Sequence, residues 1–337
     1  MKVQRVLVGA TLAAVAVSTL VAQSSFIDVG TLGFGSSYLL AVNNAGEAVG
    51  YSEVTGLDTN RAMLWRDGQL IDLGVLPGLM LSVATDINDR GQIVGWSSAY
   101  QYAGRRAVLW ENGQPIDVLP PGYDGCAAQG INKRGDIVGG CLSSSPWLWR
   151  DGTLTYLPGL PGAASGVASD INDHGVIVGT LESAAGSIPV RWVDGKVTAL
   201  GLPAGALGGV ADAVNDHGDI VGYVVNPSFY DPVIWQGGTA IPLGGAWGAV
   251  FGYARGINNH GEVAVHAFVT GTIITEYGGH VWRDGQFRHL DQSTSLNDIN
   301  DRGVAVGRVQ GDSSGFESHG AVWPKSSTRI PVHGAVR

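Results

Sequence analysis

The sequence predicts an all-β protein, a seven-bladed β-propeller built from seven four-stranded repeats of about 43 residues. Three observations predict it. An apolar-Asn-x-x-Gly motif recurs seven times, with its Asn at 43, 88, 132, 172, 215, 258 and 300. A Trp follows every copy, at 65, 110, 149, 192, 235, 282 and 323. Composition agrees: Gly is 52 of 337 residues and charged residues are 15%. Usual values are about 7% and about 25%. Many short strands joined by tight turns have this composition, whereas coiled coils and Ala/Glu/Lys-rich helical proteins do not.

Each element of the repeat has a local reason. Asn-x-x-Gly suits a type I turn, with Asn capping the first position and Gly taking the left-handed conformation. Short β-branched runs flank it, as in Ile87-Asn88-Asp89-Arg90-Gly91 followed by Ile93-Val94-Gly95, and make the turn an a–b hairpin. Trp then ends a third strand. A turn such as Arg66-Asp67-Gly68 leads into a fourth, Leu70-Ile71-Asp72-Leu73. Four strands in about 43 residues match a propeller blade. A lone four-stranded sheet leaves its faces uncovered, and packing blades around an axis covers them. The seven Trp are then expected as a layer between neighbouring blades.

The chain ends carry separate signals. Lys2 and Arg5 precede 17 uncharged residues, Val6 to Ala22. A bilayer-spanning helix needs about 20. Residues 1–23 therefore read as a secretory signal peptide, leaving residues 24–337 as a single propeller domain. No later stretch is long and apolar enough to span a membrane. Two segments resemble a fourth strand, Phe26-Ile27-Asp28-Val29-Gly30 and Arg329-Ile330-Pro331-Val332-His333. One of them is expected to close the ring. Export permits a disulfide between Cys126 and Cys141. A two-residue turn at 132–135 would set them face to face. A bulged turn would set Cys126 against Leu142, on the opposite side from Cys141.

The repeat resembles the bacterial extracellular HAF repeats. The shared grammar is apolar-Asn-x-x-Gly-x-apolar-Val-Gly, then apolar-x-Trp-x-x-Gly and a strand like Ile71-Asp72-Leu73-Gly74. It covers about residues 26–333. The name-giving His-Ala-Phe triplet is replaced here by Arg61-Ala62-Met63, Arg106-Ala107-Val108 and His319-Gly320-Ala321. The resemblance implies an exported, propeller-like repeat protein and transfers no catalytic residue.

Function is read from charge and loops. Removing residues 1–23 leaves 18 basic and 29 acidic residues, net −11. Nucleic acid and anionic lipid both need a positive footprint and are not expected partners. No cofactor or metal motif is present. His174, His217 and His260 share one turn position and read as solvated turn residues, because metal ligands must converge on one point. Gly311-Asp312-Ser313-Ser314-Gly315 lacks the strand-to-helix setting of a nucleophile elbow and reads as loop.

Turns a–b and c–d lie at one end of the blades, and loops b–c and d–a at the other. The second set varies, and binding usually sits on variable loops of a rigid scaffold. Its candidate ligand contacts are Tyr100, Tyr102, Tyr123, Asp124, Phe229, Tyr230, Asp231, Trp247, Glu276 and Tyr277. Aromatics beside carboxylates suit sugar rings or protein side chains. The expected function is a binding module for carbohydrate or protein at the cell envelope. A glycan-active enzyme would use two carboxylates from the set Glu53, Asp58, Asp124, Glu182, Asp231, Glu276 and Asp291. A purely structural surface protein is the third alternative.

Overall fold

The computed structural model describes residues 26–33, 35–54, 60–100, 104–120, 122–142, 145–244, 250–270, 275–290, 293–310 and 317–325. They form seven four-stranded antiparallel sheets and no helix. Each sheet is a meander a-b-c-d, and the sheets are the blades of a β-propeller. The inner a strands of blades 1 to 7 are Ser37–Val42, Leu81–Ile87, Cys126–Ile131, Ala163–Ile171, Gly208–Val214, Val250–Ile257 and Ser293–Ile299.

Blade 7 takes its fourth strand from the other end of the chain. Ile27 and Asp28 pair with Val322 and Ala321, the Val29 N–H donates to the Gly320 carbonyl, and Asp28 meets His319 Nδ1 at 3.0 Å. The N-terminal segment thus closes the ring. The other expected closing strand, Arg329 to His333, lies outside the described residues, as do residues 1–25.

The core is divided among the seams between blades. Trp110 of blade 2 packs with Val49 and Leu64 of blade 1. Trp149 packs with Val94 and Leu109, and Trp192 with Val138 and Leu148. Trp235 meets Val178, Trp282 meets Val221 and Ile234, and Trp323 meets Ala264 and Val281. Trp65 closes the circle against Val306 and Val322 of blade 7. Six of the seven rings share a cluster with residues of both the second and the third strand of the preceding blade, and Trp235 with the second-strand Val178. An indole buries 150–250 Å², so one Trp per seam supplies much of the apolar area that joins two sheets. Trp192 and Trp235 also donate Nε1–H to the carbonyls of Pro158 and Gly201.

The turns follow their sequence chemistry. In blade 1 the Asn43 carboxamide oxygen accepts the N–H groups of Ala45 and Glu47, and the Gly46 N–H donates to the Asn43 carbonyl. The c–d turns place Asp67-Gly68, Asn112-Gly113, Asp151-Gly152, Asp194-Gly195 and Asp284-Gly285 at positive φ, the type I′ geometry of a tight hairpin.

Cys126 and Cys141 are bridged. The a–b turn of blade 3 is the bulged kind, with Ile131 opposite Ile137, which would carry Cys126 past Cys141. A second bulge inside the a strand, between Ala128 and Gly130, restores the register and sets the two Cys directly opposite. The same internal bulge occurs in all seven a strands.

Candidate functional site

The channel along the axis has two unlike mouths. At the turn end the seven repeat Asn form a closed ring. Asn43 donates its Nδ2–H to the carbonyl of Asn88 in the next blade, Asn88 to Asn132, and so on until Asn300 donates to Asn43, at 2.7–3.3 Å. The same side chains cap their own turns through Oδ1. One residue therefore makes the turn and fastens the seam. A cavity of about 190 Å³ lies on the axis here.

The next residue in each turn builds a second ring. Asp89, Asp173, Asp216 and Asp301 accept the backbone N–H of Asn44, Lys133, Asp173 and Asn259, respectively. These carboxylates are engaged by the fold. Lys133 cannot accept from Asp89, and instead pairs its Nζ with Asp173 at 2.9 Å. The three turn histidines do not converge. His217 Nε2 reaches the Asn259 carbonyl across the seam at 3.1 Å. Among the described residues no group of three His, Cys, Asp or Glu is placed to hold a metal ion.

Deeper in the channel, Asp86, Asp170 and Asp298 occupy one repeat position. Each accepts two backbone N–H groups, one from its own blade and one from the next. Burial pushes Asp86 up to about 8, with repulsion from Asp170 and Asp298 adding to it. Burial likewise raises Asp170 and Asp298 to about 6.

The loop mouth is aromatic. On blades 5 and 6, Tyr223, Tyr230 and Tyr253 meet pairwise with ring centres 4.9–5.4 Å apart. Phe229 stands 4.5 Å from Phe251. The Arg255 guanidinium lies 4.7 Å over the Tyr253 ring and pairs with Asp212 at 3.3 Å. Burial raises Asp212 to about 6 against the pull of Arg255. Burial also raises Tyr223, helped by the Asp212 charge. Tyr230 and Phe229 remain exposed, at 44% and 40%. The patch thus offers ring faces to solvent with a cation and an acid at its edge.

The predicted contacts divide accordingly. Phe229 and Tyr230 belong to this patch; Asp231, next to Tyr230 on the strand and opposite Val224, faces the other side of the sheet, where it accepts the Asn226 amide at 2.7 Å and burial raises its pKa. Tyr123 packs on the blade 2–3 core. Asp124 lies 3.6 Å from Arg106, which also holds Asp117 at 2.7 Å. Tyr100 is 59% exposed. Glu276 and Tyr277 stand at the start of strand Thr275–Arg283, opposite Val269 and Phe268, and their side chains lie outside the described residues. Tyr102 and Trp247 lie outside them as well, with Asp58, Asp291 and the Gly311–Gly315 segment.

Two of the b–c connections are in good part strand. Strands Val263–Thr270 and Thr275–Arg283 extend through most of 266–279, and Tyr230 already opens strand Tyr230–Gln236. Their β-branched and aromatic residues continue the ladder outward. Tyr223, Phe251, Tyr253 and Arg255, which complete the patch, stand on a and b strands. An inspection confined to loops misses them. Aligning the seven repeats finds two of them, since Tyr223 holds the place of Tyr51 and Trp96, and Tyr253 that of Tyr38.

Comparison with known proteins shows the fold. No family model matches the chain, and no curated protein matches it. The extracellular domain of BT4673 from B. thetaiotaomicron superposes over 88% of this chain with TM-score 0.56 at 9% identity. PorZ, a bacterial surface component of the type-IX secretion system of Porphyromonas gingivalis, aligns over 84% with TM-score 0.29 at 10% identity. The chain spans 39% and 41% of those two proteins. The class is a seven-bladed β-propeller with a polar, self-bonded turn face and an aromatic loop face.

Proposed function

We propose that this propeller is an exported, non-catalytic binding module that holds carbohydrate on its loop face at the cell envelope. The Tyr223, Tyr230 and Tyr253 cluster carries the reading, with Arg255 and Asp212 beside it. Aromatic faces cover the C–H faces of sugars, and flanking charged groups bond their hydroxyls. The acidic chain argues against polyanionic ligands. Export rests on the basic-then-apolar N-terminus and on the extracellular HAF-repeat grammar. The extracellular standing of the BT4673 domain supports it.

The test is a screen of the purified protein against immobilised glycans and envelope polysaccharides. Tyr230→Ala combined with Tyr253→Ala is expected to lower affinity about tenfold or more, two stacking contacts being worth about 0.5–1.5 kcal/mol each. Unchanged binding with folding intact refutes the assignment. One observation favours a glycan-active reading: Asp212, raised to about 6 by burial, lies at the edge of the patch against Arg255. Shortening of a bound glycan, abolished by Asp212→Asn, is its signature.

A further inference from the structure

One position of the repeat departs from its neighbours and opens a second site. Eight residues after the repeat Asn, on strand b, the blades carry Tyr51, Trp96, Gly140, Thr180, Tyr223, His266 and Arg308. Five consecutive blades around the ring, 5 through 2, place a ring or a guanidinium there. Blades 3 and 4 place Gly140 and Thr180. The opposing a-strand residues in those two blades are Ala127 and Val167, also small. Where the bulk is missing, a cleft of about 280 Å³ runs between blades 3 and 4.

The cleft is a built feature. A Cβ on Gly140 would meet Val167 Cγ2 at 3.1 Å and the Gly166 carbonyl at 3.2 Å, so blade 4 closes tightly on blade 3 at the floor. The Cys126–Cys141 bridge ties together the two strands of the blade 3 wall, at the place where ring packing is lost. Polar groups line the rest: Gln129, Ser165, Arg105 and Glu182. Val167 and Cys141 supply apolar surface. The Arg105 guanidinium is stacked 5.4 Å from the Trp96 ring, and the Glu182 carboxylate accepts the Ser187 hydroxyl, so both charges are held in place.

We propose that this cleft is a subsite for a single neutral sugar residue, a chain end or a branch. The inference rests on the carbohydrate reading above and gives it a specificity. One guanidinium and one carboxylate cancel, so the lining has no net charge to offer an anion. Both groups, with the carboxamide and the hydroxyl, are bonding partners for vicinal hydroxyls. The apolar wall matches the C–H face of a pyranose. Pockets for drug-sized ligands run about 300–1,000 Å³, and this one, at about 280 Å³, is just below that range and suits one ring.

The test titrates the purified protein with D-glucose, D-galactose and D-mannose, with their uronates, and with neutral oligosaccharides, by saturation-transfer NMR and calorimetry. At least one neutral hexose is expected to bind with a millimolar dissociation constant. Glu182→Gln and Ser165→Val should each weaken it, the former about tenfold. No hexose binding at about 20 mM, tighter binding of the uronates, or binding indifferent to both cleft variants overturns the proposal. The two readings separate cleanly. Oligosaccharide binding lost in Tyr230→Ala but kept in both cleft variants removes the cleft subsite and leaves the aromatic platform. Hexose binding that follows the cleft variants, with oligosaccharides indifferent to Tyr230→Ala, removes the platform and leaves the cleft.

Discussion

Asn215 tests whether the repeat motif serves its own turn or the joint between blades. Its Oδ1 accepts the N–H groups of His217 and Asp219, and its Nδ2 donates to the Asn258 carbonyl of the next blade at 3.2 Å and, more weakly, to the Asp219 carboxylate at 3.4 Å. The residue is 4% exposed. Asn215→Ala strands two donors and one acceptor. At about 1 kcal/mol for each lost bond, the cost is about 3 kcal/mol. Asn215→Asp keeps both N–H contacts and sets a carboxylate oxygen against the Asn258 carbonyl and the Asp219 carboxylate. Its cost at neutral pH is about 1–2 kcal/mol. That carboxyl is then raised above its unfolded value, so the folded state takes up a proton the unfolded state has released. Stability of the variant therefore recovers as pH falls towards about 4, where the acid can donate as the amide did. Urea titrations with a common m-value at several pH values measure all of this. If the Asp and Ala variants lose the same stability, with no pH dependence distinguishing the Asp variant from the unmodified protein, the seam bond contributes nothing and the Asn is a turn residue only.

Further outcomes follow from other joints. Asp86, raised to about 8, and Asp170 and Asp298, raised to about 6, keep protons that the unfolded chain loses near 4, so they lower stability as pH rises. Asp86→Asn is expected to flatten the fall in melting temperature between about pH 6 and 8; a slope equal to that of the unmodified protein contradicts the assignment. Reducing the Cys126–Cys141 bridge, which spans a sequence separation of 15, should cost about 3 kcal/mol by the chain-entropy rule and lower the guanidinium midpoint. No shift would mean that the unfolded chain is already compact there. Deleting residues 1–30 leaves strand Ser318–Trp323 as a bare edge. Earlier proteolysis within blade 7 than elsewhere is expected; uniform cleavage would show that the ring does not depend on this closure.

The blades were legible because each repeat states its own turns and its own Trp. Less legible was anything decided between blades. The local turn alone explains an Asn at position 43 or 88, so the sequence hides its second bond, to a neighbour more than 40 residues away. The disulfide turned on a bulge at Gln129, which nothing around that residue announces. Loop variability drew attention to the face that carries Tyr230 and Phe229. It overlooked Tyr223 and Tyr253, because strand residues in regular repeats look like packing until compared copy by copy. The cleft has the same origin: Gly140 is unremarkable in a Gly-rich chain and informative only beside Trp96 and Tyr223.

The borrowed strand of blade 7 also fixes an order of assembly. Blades 1 to 6 are each built from contiguous chain, so each has all four strands once its own repeat has been made. Ile27 and Asp28 precede every other strand of the ring, yet their partners, Ala321 and Val322, arrive nearly 300 residues later. Until then the first segment has no sheet to join, and blade 1 has no neighbour on one side. The circle of Asn bonds is likewise open at Asn300 until the final repeat is present. Ring closure therefore waits for the last repeat, when the first strand of the ring meets the last.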